Sequence, residues 1–380
     1  MRNIILLGFA SLFTDVASEM VYPLLPFFLT YSLGASPAIL GLVEGIAETT
    51  ASLLKVVSGH FSDRSRKRKR LTILGYSSSV AGRILLYAAP GWGMVLAGRV
   101  VDRLGKGIRT APRDALIADS SAVGTRGTAF GLHRMMDTLG AAVGVVLAYL
   151  FLTRSGGDYR DVFLWSLVPA AIGVVLLFFV REGTHTSERV RQLPMFRWSI
   201  LPRQLRVFLV IAAVFTLGNS SNTFLLLRAT HLGYSPGGAV LLYLGYNIAY
   251  AVSSFPAGRL SDRIGRKTLL VTGYALYGMV YLLMGFVGSS ETAWLIWLGF
   301  GLYGVYSALT EGIEKALVAD LAPVEVRATA IGLHAAIVGA GLLPASLIAG
   351  LLWTHFGADT ALFFGGGMGL IAATALFLLL

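Results

Sequence analysis

Long apolar runs separated by short polar clusters recur along the whole chain. Runs of about 20 apolar residues are long enough to cross a bilayer as helices. Counting them predicts twelve spans, numbered here 1 to 12 in chain order. Their approximate bounds are 4–30, 36–60, 71–89, 92–118, 128–152, 160–180, 206–230, 237–259, 268–288, 292–318, 326–352 and 358–380. The pattern therefore predicts an all-α polytopic membrane protein embedded in a lipid bilayer.

Basic residues are concentrated in the even-numbered loops between these spans, above all in 64–70 and 181–203. Loops rich in Lys and Arg stay on the cytoplasmic side of a membrane. We therefore expect a multi-pass protein of the cytoplasmic (inner) membrane with both termini in the cytoplasm. The net charge of +11 then reflects topology and does not indicate a nucleic-acid partner.

The two halves of the chain repeat each other. Residues 59–76 return as 258–274, and residues 115–133 return as 316–334. Parallel repeats of this kind occur in one large class of transporters. We expect two pseudo-symmetric six-helix bundles, at 1–180 and 206–380, joined by a cytoplasmic linker at 181–205.

The motif after span 8 resembles the loop motif of the major facilitator superfamily, G-x-L-a-D-R-x-G-R-K. It is matched by Gly258, Leu260, Ser261, Asp262, Arg263, Gly265, Arg266 and Lys267. Arg99 and the glycine pair Gly140 and Gly144 resemble two further motifs of that family, although Val145 stands where its antiporters have Pro. The resemblance implies a secondary transporter working by alternating access, most similar to bacterial drug:proton antiporters.

The charged residues of span 4 fall on one side of the predicted helix. At about 100° per residue they lie within an arc of roughly 140°. They are Arg99, Asp102, Arg103, Lys106, Arg109, Arg113 and Asp114. Ionisable groups are costly against lipid, so this face is predicted to line a bundle interior or a water-filled cavity. An interfacial amphipathic helix is the alternative, and the apolar spans on both sides argue against it.

Four carboxylates in spans 1 and 2 are candidates for proton coupling: Asp15, Glu19, Glu44 and Glu48. A carboxylate in a low-dielectric cavity has a raised pKa unless a cation lies beside it, so it can take up a proton on one side and release it on the other. The alternative is a buried salt-bridge network that positions helices or switches between conformers.

The predicted substrate site is asymmetric, with ionisable groups in the first half of the chain and aromatic and amide groups in the second. The first half contributes Tyr22, Lys55, Arg99, Asp102, Arg103, Lys106, Arg109, Arg113 and Asp137. The second half contributes Asn219, Asn222, Tyr243, Asn247, Tyr250 and Glu311. Tyr and Asn side chains offer stacking and hydrogen bonds to an organic solute, although helix–helix hydrogen bonding is an equally good interpretation of any one of them.

The loop motifs have a separate predicted role. In the superfamily such clusters latch the cytoplasmic side, and the matching residues are Asp63, Lys67, Asp119, Asp262, Arg266 and Asp320. Lys67 with Asp119, and Arg266 with Asp320, are the expected pairs. Solvated topology charges are the alternative interpretation of the basic run 67–70.

The predicted function is secondary active transport of a small organic solute, with proton-coupled efflux by antiport favoured by the resemblance. The alternatives are proton symport of an organic anion, indicated by the basic face of span 4, and a non-transporting receptor or assembly protein. We expect neither an enzyme nor a cofactor, because the chain has no Cys and no phosphate-binding loop, and no nucleophile and base stand together. No second ligand motif supports a metal site at the histidines. The expected partners are the solute, protons and lipid, and the expected state is a monomer.

Overall fold

The computed structural model describes residues 2–65, 68–121, 126–182, 201–288, 294–323 and 327–380. Within these ranges the side chains of 55–57, 59–65, 126–128, 130–131 and 327–329 are outside the description. The described residues are mostly helical and contain no strand, which confirms the predicted all-α membrane fold.

Span 1 begins as the α-helix Arg2–Val21 and continues as a 3-10 helix at Tyr22–Leu24, a short α-helix at Leu25–Phe27 and a π-helix at Phe28–Ser32. Spans 2 to 6 are Pro37–Ser65, Arg68–Tyr87, Trp92–Asp119, Arg126–Arg154 and Tyr159–Phe178. Span 7 has two pieces, Arg203–Gly218 and Thr223–His231. Spans 8 to 12 are Pro236–Ile264, Arg266–Phe286, Leu295–Leu321, Arg327–Phe356 and Ala358–Leu379.

Among the described residues, nine spans are long and apolar enough to cross a membrane on length and composition. Spans 3, 4 and 10 are not in that set. These three carry charged or tyrosine-rich faces, which lower their average hydropathy. Polar groups at membrane depth face the interior of a bundle, so these spans are candidates for carrying a functional site.

The chain divides into two compact units. The first unit holds Met1–Gly34 and Ile46–Arg191, and the second holds Ala35–Gly45 and Gln192–Leu380. The start of span 2 thus packs with the second unit, where the Ala38 amide donates to Thr354 Oγ1 at 3.0 Å. The sequence repeat places the boundary in the linker and does not anticipate this segment.

Glycines let helices approach closely inside the first unit. A Cβ added at Gly82 of span 3 would lie 2.6 Å from the carbonyl oxygen of Gly98 in span 4. One added at Gly140 of span 5 would lie 2.4 Å from the carbonyl oxygen of Leu12 in span 1. Small residues at such crossings are the usual means of helix association in membranes. They bring the polar faces of spans 1, 3 and 4 within hydrogen-bonding distance.

Spans 1 and 7 differ from the continuous helices that the apolar pattern predicts. Span 1 loses regular α-helix at Tyr22, because Pro23 and Pro26 lack the amide that an α-helix needs. Span 7 breaks over 219–222, where the sequence Asn-Ser-Ser-Asn favours turns. Irregular backbone at membrane depth must find other partners. In span 7, Tyr277 Oη donates to the freed Gly218 carbonyl at 2.6 Å.

Candidate functional site

The charged face of span 4 lies inside the first unit. Arg99, Asp102, Arg103 and Arg109 each expose less than a tenth of their surface. Burial of so many ionisable groups is stable only where charges are paired and hydrogen-bonded. The partners of each group therefore decide what the face can do.

Glu48 of span 2 and Asp102 bind the arginines at one end of this face. Glu48 Oε1 lies 2.8 Å from Arg103 Nη2 and 3.8 Å from Arg99 Nη2. Asp102 Oδ2 lies 3.8 Å from Arg103 Nη1, and Asp102 Oδ1 lies 3.9 Å from Arg83 Nη1. Arg99 also lies over the ring of Tyr22, 5.8 Å from its centroid. The two carboxylates and three arginines thus form a connected network of ion pairs.

Arg83 of span 3 is a member of this network that the sequence analysis missed. It is buried, and its guanidinium donates to Ser18 Oγ at 2.7 Å and to the Ser79 carbonyl at 2.9 Å. The available signal was a single arginine in the middle of the apolar run 71–89. Such an intramembrane charge indicates a functional or paired position by itself.

At the other end of the face, Arg113 has partners of its own, and His133 of span 5 lies beside Asp137. Arg113 Nη2 lies 2.9 Å from Asp114 Oδ1, and Arg113 Nη1 donates to Ser11 Oγ at 3.1 Å. His133 Nδ1 lies 3.4 Å from Asp137 Oδ2, one helical turn along span 5. The predicted site residues Arg113 and Asp137 therefore both have partners within the first unit.

Lys106 and Arg109 lie between these paired groups and have no carboxylate partner among the described residues. Arg109 Nη1 donates to Ser79 Oγ at 2.7 Å, and its guanidinium lies over the Tyr76 ring, 4.4 Å from the centroid. The ammonium of half-buried Lys106 has neither a hydrogen bond nor an ion pair within the described part of the chain. Two cations of the face are thus uncompensated by direct contact.

Asp15 is a carboxylate whose charge interacts with both of these cations. Its charge interacts with those of Arg109, Lys106, Arg113 and Arg134, yet it makes no hydrogen bond or ion pair in the described ranges. Asp15 and Lys106 are both half-buried, and their opposite charges interact without a direct contact.

The other predicted proton carriers lie in separate environments. Glu44 falls in the second unit, where it is fully buried and its Oε2 accepts from Ser221 Oγ at 3.5 Å. Glu19 is half-buried on span 1, with its Cβ near Gly144. Asp15, Glu19 and Glu48 thus belong to the first unit, whereas Glu44 belongs to the second.

The second unit has an aromatic interior instead of a charged one. Its fully buried tyrosines include Tyr274, Tyr277 and Tyr281. Asn219 Nδ2 donates to Tyr306 Oη at 3.1 Å, and Tyr303 Oη donates to Asn222 Oδ1 at 2.7 Å. The predicted amides of span 7 thus bind tyrosines of span 10, which the sequence analysis did not assign to the site. The signal for these tyrosines was their spacing of three and four residues within spans 9 and 10.

The predicted residues of span 8 follow one helix face. The rings of Tyr243 and Tyr246 lie 5.5 Å apart, and those of Tyr246 and Tyr250 lie 6.4 Å apart. Tyr250 Oη donates to Glu311 Oε2 at 2.8 Å. Asn247 Nδ2 donates to the Tyr243 carbonyl in its own helix.

A second carboxylate of span 10 lies deeper in the second unit. Glu314 Oε1 accepts from Tyr274 Oη at 2.9 Å, and Glu314 Oε2 lies 3.3 Å from His334 Nε2 of span 11. His334 stacks on Phe208, with 5.8 Å between the ring centroids. The sequence analysis noted Glu314 and His334 separately but did not assign either to a site.

The loop motif of the second unit forms a three-residue cluster. Arg266 Nη1 lies 2.6 Å from Asp262 Oδ1, and Arg266 Nε lies 3.3 Å from Asp320 Oδ2. In the first unit Asp119 pairs with Arg68. Its expected partner Lys67 lies outside the described residues, as do the side chains of Asp63 and Lys55.

Comparison with known proteins places this arrangement in context. The sequence model of the Major Facilitator Superfamily matches residues 7–228 and 207–380. An uncharacterized MFS-type transporter of Methanocaldococcus jannaschii is 41% identical over 360 residues, covering 93% of this chain and 88% of that protein. A gentisate transporter of Corynebacterium glutamicum is 24% identical over 404 residues, covering 99% and 87%. The crystal structure of a mutant of the nucleoside transporter NupG matches 98% of both chains, with a TM-score of 0.84 and 13% identity.

Proposed function

Because this chain belongs to the Major Facilitator Superfamily and is a secondary transporter, we propose that it carries a small organic anion together with protons. The observation that carries the proposal is the pair Lys106 and Arg109. They are the two cations of the span 4 face that no carboxylate of the described chain contacts. The similarity to a gentisate transporter supports an anionic substrate.

Uncompensated cations in a low-dielectric interior attract an anion strongly. At an effective dielectric constant of about 20, two opposite unit charges about 4 Å apart attract by about 4 kcal/mol. The Lys106 ammonium has three donors, and the Arg109 guanidinium keeps donors beyond the one that binds Ser79. Together they suit a carboxylate, which accepts several hydrogen bonds from such groups.

Asp15 supplies the coupling to protons. When Asp15 is ionised, its charge offsets those of Lys106 and Arg109. When it is protonated, the two cations are free to bind the anion. Anion binding therefore favours protonation, and protonation favours anion binding by the same factor, since coupling between sites is reciprocal. A proton and an anion that bind together move in the same direction, which is symport.

The charge of the substrate decides between symport and antiport at this site. A cation would compete with the proton for Asp15, and competition produces exchange. The resemblance to drug:proton antiporters implies efflux by proton antiport. At this site such exchange requires a solute that is cationic or that binds the Asp15 carboxylate. It stays a prediction, and transport assays separate it from anion symport.

Uptake into proteoliposomes tests the proposal. An acidic exterior should drive accumulation of labelled gentisate, and Lys106→Gln together with Arg109→Gln should lower it about tenfold or more. Arg154→Gln, which changes the exposed last residue of span 5, is the matched control. Accumulation of a lipophilic cation against an opposite proton gradient, with no movement of organic anions, would refute anion symport and favour antiport.

We propose the orientation of the protein in the membrane from the distribution of its basic residues. Arg68 to Arg70 and Arg263 to Lys267 lie at the helix ends that border even-numbered loops, so we propose that both termini face the cytoplasm of an inner-membrane protein. The chain has no Cys, so single cysteines report topology directly. Ser155→Cys should react with an impermeant thiol reagent from outside the cell, and Ser121→Cys should not.

A further inference from the structure

The side chain of Arg109 lies in a cradle that one turn of span 3 forms from Gly75, Tyr76 and Ser79. Gly75 leaves room for the base of the arginine, because a Cβ added there would lie 2.6 Å from Arg109 Cβ. The guanidinium lies over the Tyr76 ring, 4.4 Å from the centroid, and Nη1 donates to Ser79 Oγ at 2.7 Å. The base, one face and one donor of the Arg109 side chain are therefore each held by span 3.

The Tyr76 ring is itself fixed in place. It is 1% exposed and belongs to an apolar cluster that includes Leu7 of span 1 and Leu116 of span 4. Its hydroxyl forms a hydrogen bond with Ser11 Oγ at 2.8 Å. Closely packed side chains keep one rotamer, so a ring held at its body and at its hydroxyl also holds the guanidinium that lies over it.

The partners of Arg109 are neutral, which distinguishes it from the neighbouring arginines. Each of the others has a carboxylate oxygen within 4 Å, namely Arg83, Arg99, Arg103 and Arg113. A ring and a hydroxyl attract a guanidinium without cancelling its charge. The cradle therefore fixes the position of Arg109 and leaves its charge available to a ligand.

The guanidinium also keeps donors for that ligand. Its Nε and Nη2 groups make no hydrogen bond within the described part of the chain. Two adjacent N–H groups of a guanidinium match the two oxygens of a carboxylate. We propose that Tyr76 and Ser79 are positioning residues, which hold Arg109 so that Nε and Nη2 together bind one carboxylate of the substrate. The proposal rests on anion transport as the function and narrows the substrate class to organic carboxylates.

The second unit repeats this helix packing without the arginine. The Gly-Tyr pair of span 3 returns as Gly273 and Tyr274 in span 9, and Thr310 of span 10 stands at the position of the arginine. A Cβ added at Gly273 would lie 2.7 Å from Thr310 Cγ2. The Tyr274 ring stacks on Phe215, with 3.8 Å between the centroids. An apolar ring thus covers the tyrosine in the second unit, so this helix packing does not by itself require a cation.

Gentisate binding to the purified protein, followed by thermal shift, tests the cradle. Tyr76→Leu removes the ring and Ser79→Ala removes the hydroxyl, and each should weaken binding about fivefold or more. Tyr76→Phe keeps the ring and should retain most of the affinity. Tyr149→Leu, which removes a half-buried tyrosine of span 5, is the control and should bind as the wild type does. Wild-type affinity in both Tyr76→Leu and Ser79→Ala would overturn the proposal.

Arg109→Lys distinguishes a positioned pair of donors from a positive charge alone. Lysine keeps the charge but has no planar group to lie on the ring and no fixed pair of donors, so binding should weaken about tenfold. Wild-type affinity in this variant would refute the binding of a carboxylate by Nε and Nη2 together.

A double-mutant cycle shows whether Tyr76 acts through Arg109. In an Arg109→Gln background, Tyr76→Leu should weaken gentisate binding no further. A ring that only stabilises the fold would lower the affinity equally in both backgrounds, and that result would overturn the proposal. A wild type that binds no gentisate would refute the proposed anion transport. The same cycle measured on Tm would then test the cradle alone, because a loss for the pair equal to the sum of the single losses would show that the ring does not hold Arg109.

Discussion

The interior of the first unit is polar through full charges, whereas that of the second is polar mainly through hydroxyl and amide groups. In the first, Glu48 and Asp102 bind Arg83, Arg99 and Arg103. In the second, Asn219 and Asn222 hydrogen-bond the tyrosines of span 10. Two halves built on one repeat therefore hold different chemistry at matching positions.

This difference separates two tasks of a coupled transporter. A field of fixed charges selects the sign of a solute and responds to any change in protonation nearby. Hydroxyl and amide groups change little with pH and offer surfaces that stack and hydrogen-bond. We therefore expect substitutions in the first unit to alter stability, charge selectivity and pH dependence, and those in the second to have smaller effects.

The largest expected effect is on stability, from Asp102→Asn. Removing one partner of a buried charge network leaves Arg83 and Arg103 undercompensated, which costs about 3–5 kcal/mol. Thermal unfolding in detergent should show a marked fall in Tm. Asp158→Asn is the control, because Asp158 caps span 6 in an exposed loop and Asn caps a helix equally well. Equal Tm values for the two variants would show that the network does not stabilise the first unit.

The next effect is on substrate affinity, from Lys106→Gln alone. This change removes one of the two cations without a carboxylate partner in the described chain and breaks no ion pair there. We expect about tenfold weaker binding of gentisate, equivalent to about 1.4 kcal/mol, with an unchanged Tm. Lys106→Arg should restore most of the affinity. Weaker binding of a lipophilic cation in place of the anion would contradict the proposed charge selectivity.

The sequence predicts the architecture well because helices in a membrane follow from local composition. Runs of apolar residues mark the spans, and the repeat of 59–76 at 258–274 marks the two halves. The breaks in spans 1 and 7 were not predicted, although Pro23, Pro26 and the run 219–222 carried the signal. At these positions the prolines and the turn-favouring residues interrupt the α-helix although the surrounding segment is apolar.

The site was predicted less completely because pairing is a tertiary property. Lys106 and Arg103 lie on the same helix arc, and the sequence cannot distinguish them. Only contacts with Glu48 and Asp102 show that Arg103 is paired and Lys106 is not. Arg83 was missed for the same reason, since its partners come from spans 1 and 4.

A change in pH dependence is expected from Asp15→Asn. The variant carries the neutral form of the side chain permanently, so Lys106 and Arg109 stay free at every pH. In the wild type, gentisate binding should weaken as the pH rises and Asp15 ionises. In the variant it should stay tight between about pH 6 and pH 8, while proton-driven accumulation is reduced. A thermal-shift titration measures the binding, because a ligand that binds only the folded state raises its stability. Equal pH dependence in both proteins would remove Asp15 from the coupling.

The smallest expected effect comes from Tyr303→Phe in the second unit. This change deletes the hydroxyl that donates to Asn222 Oδ1 at 2.7 Å and leaves the ring in place. A neutral buried hydrogen bond contributes about 1 kcal/mol, so Tm should fall by a small amount only. Gentisate uptake should keep its pH dependence, because no charge has changed. Tyr87→Phe, at the exposed end of span 3, is the control for loss of a tyrosine hydroxyl. A fall in Tm as large as that of Asp102→Asn would show that the hydroxyl network of the second unit stabilises the fold as strongly as the charges of the first.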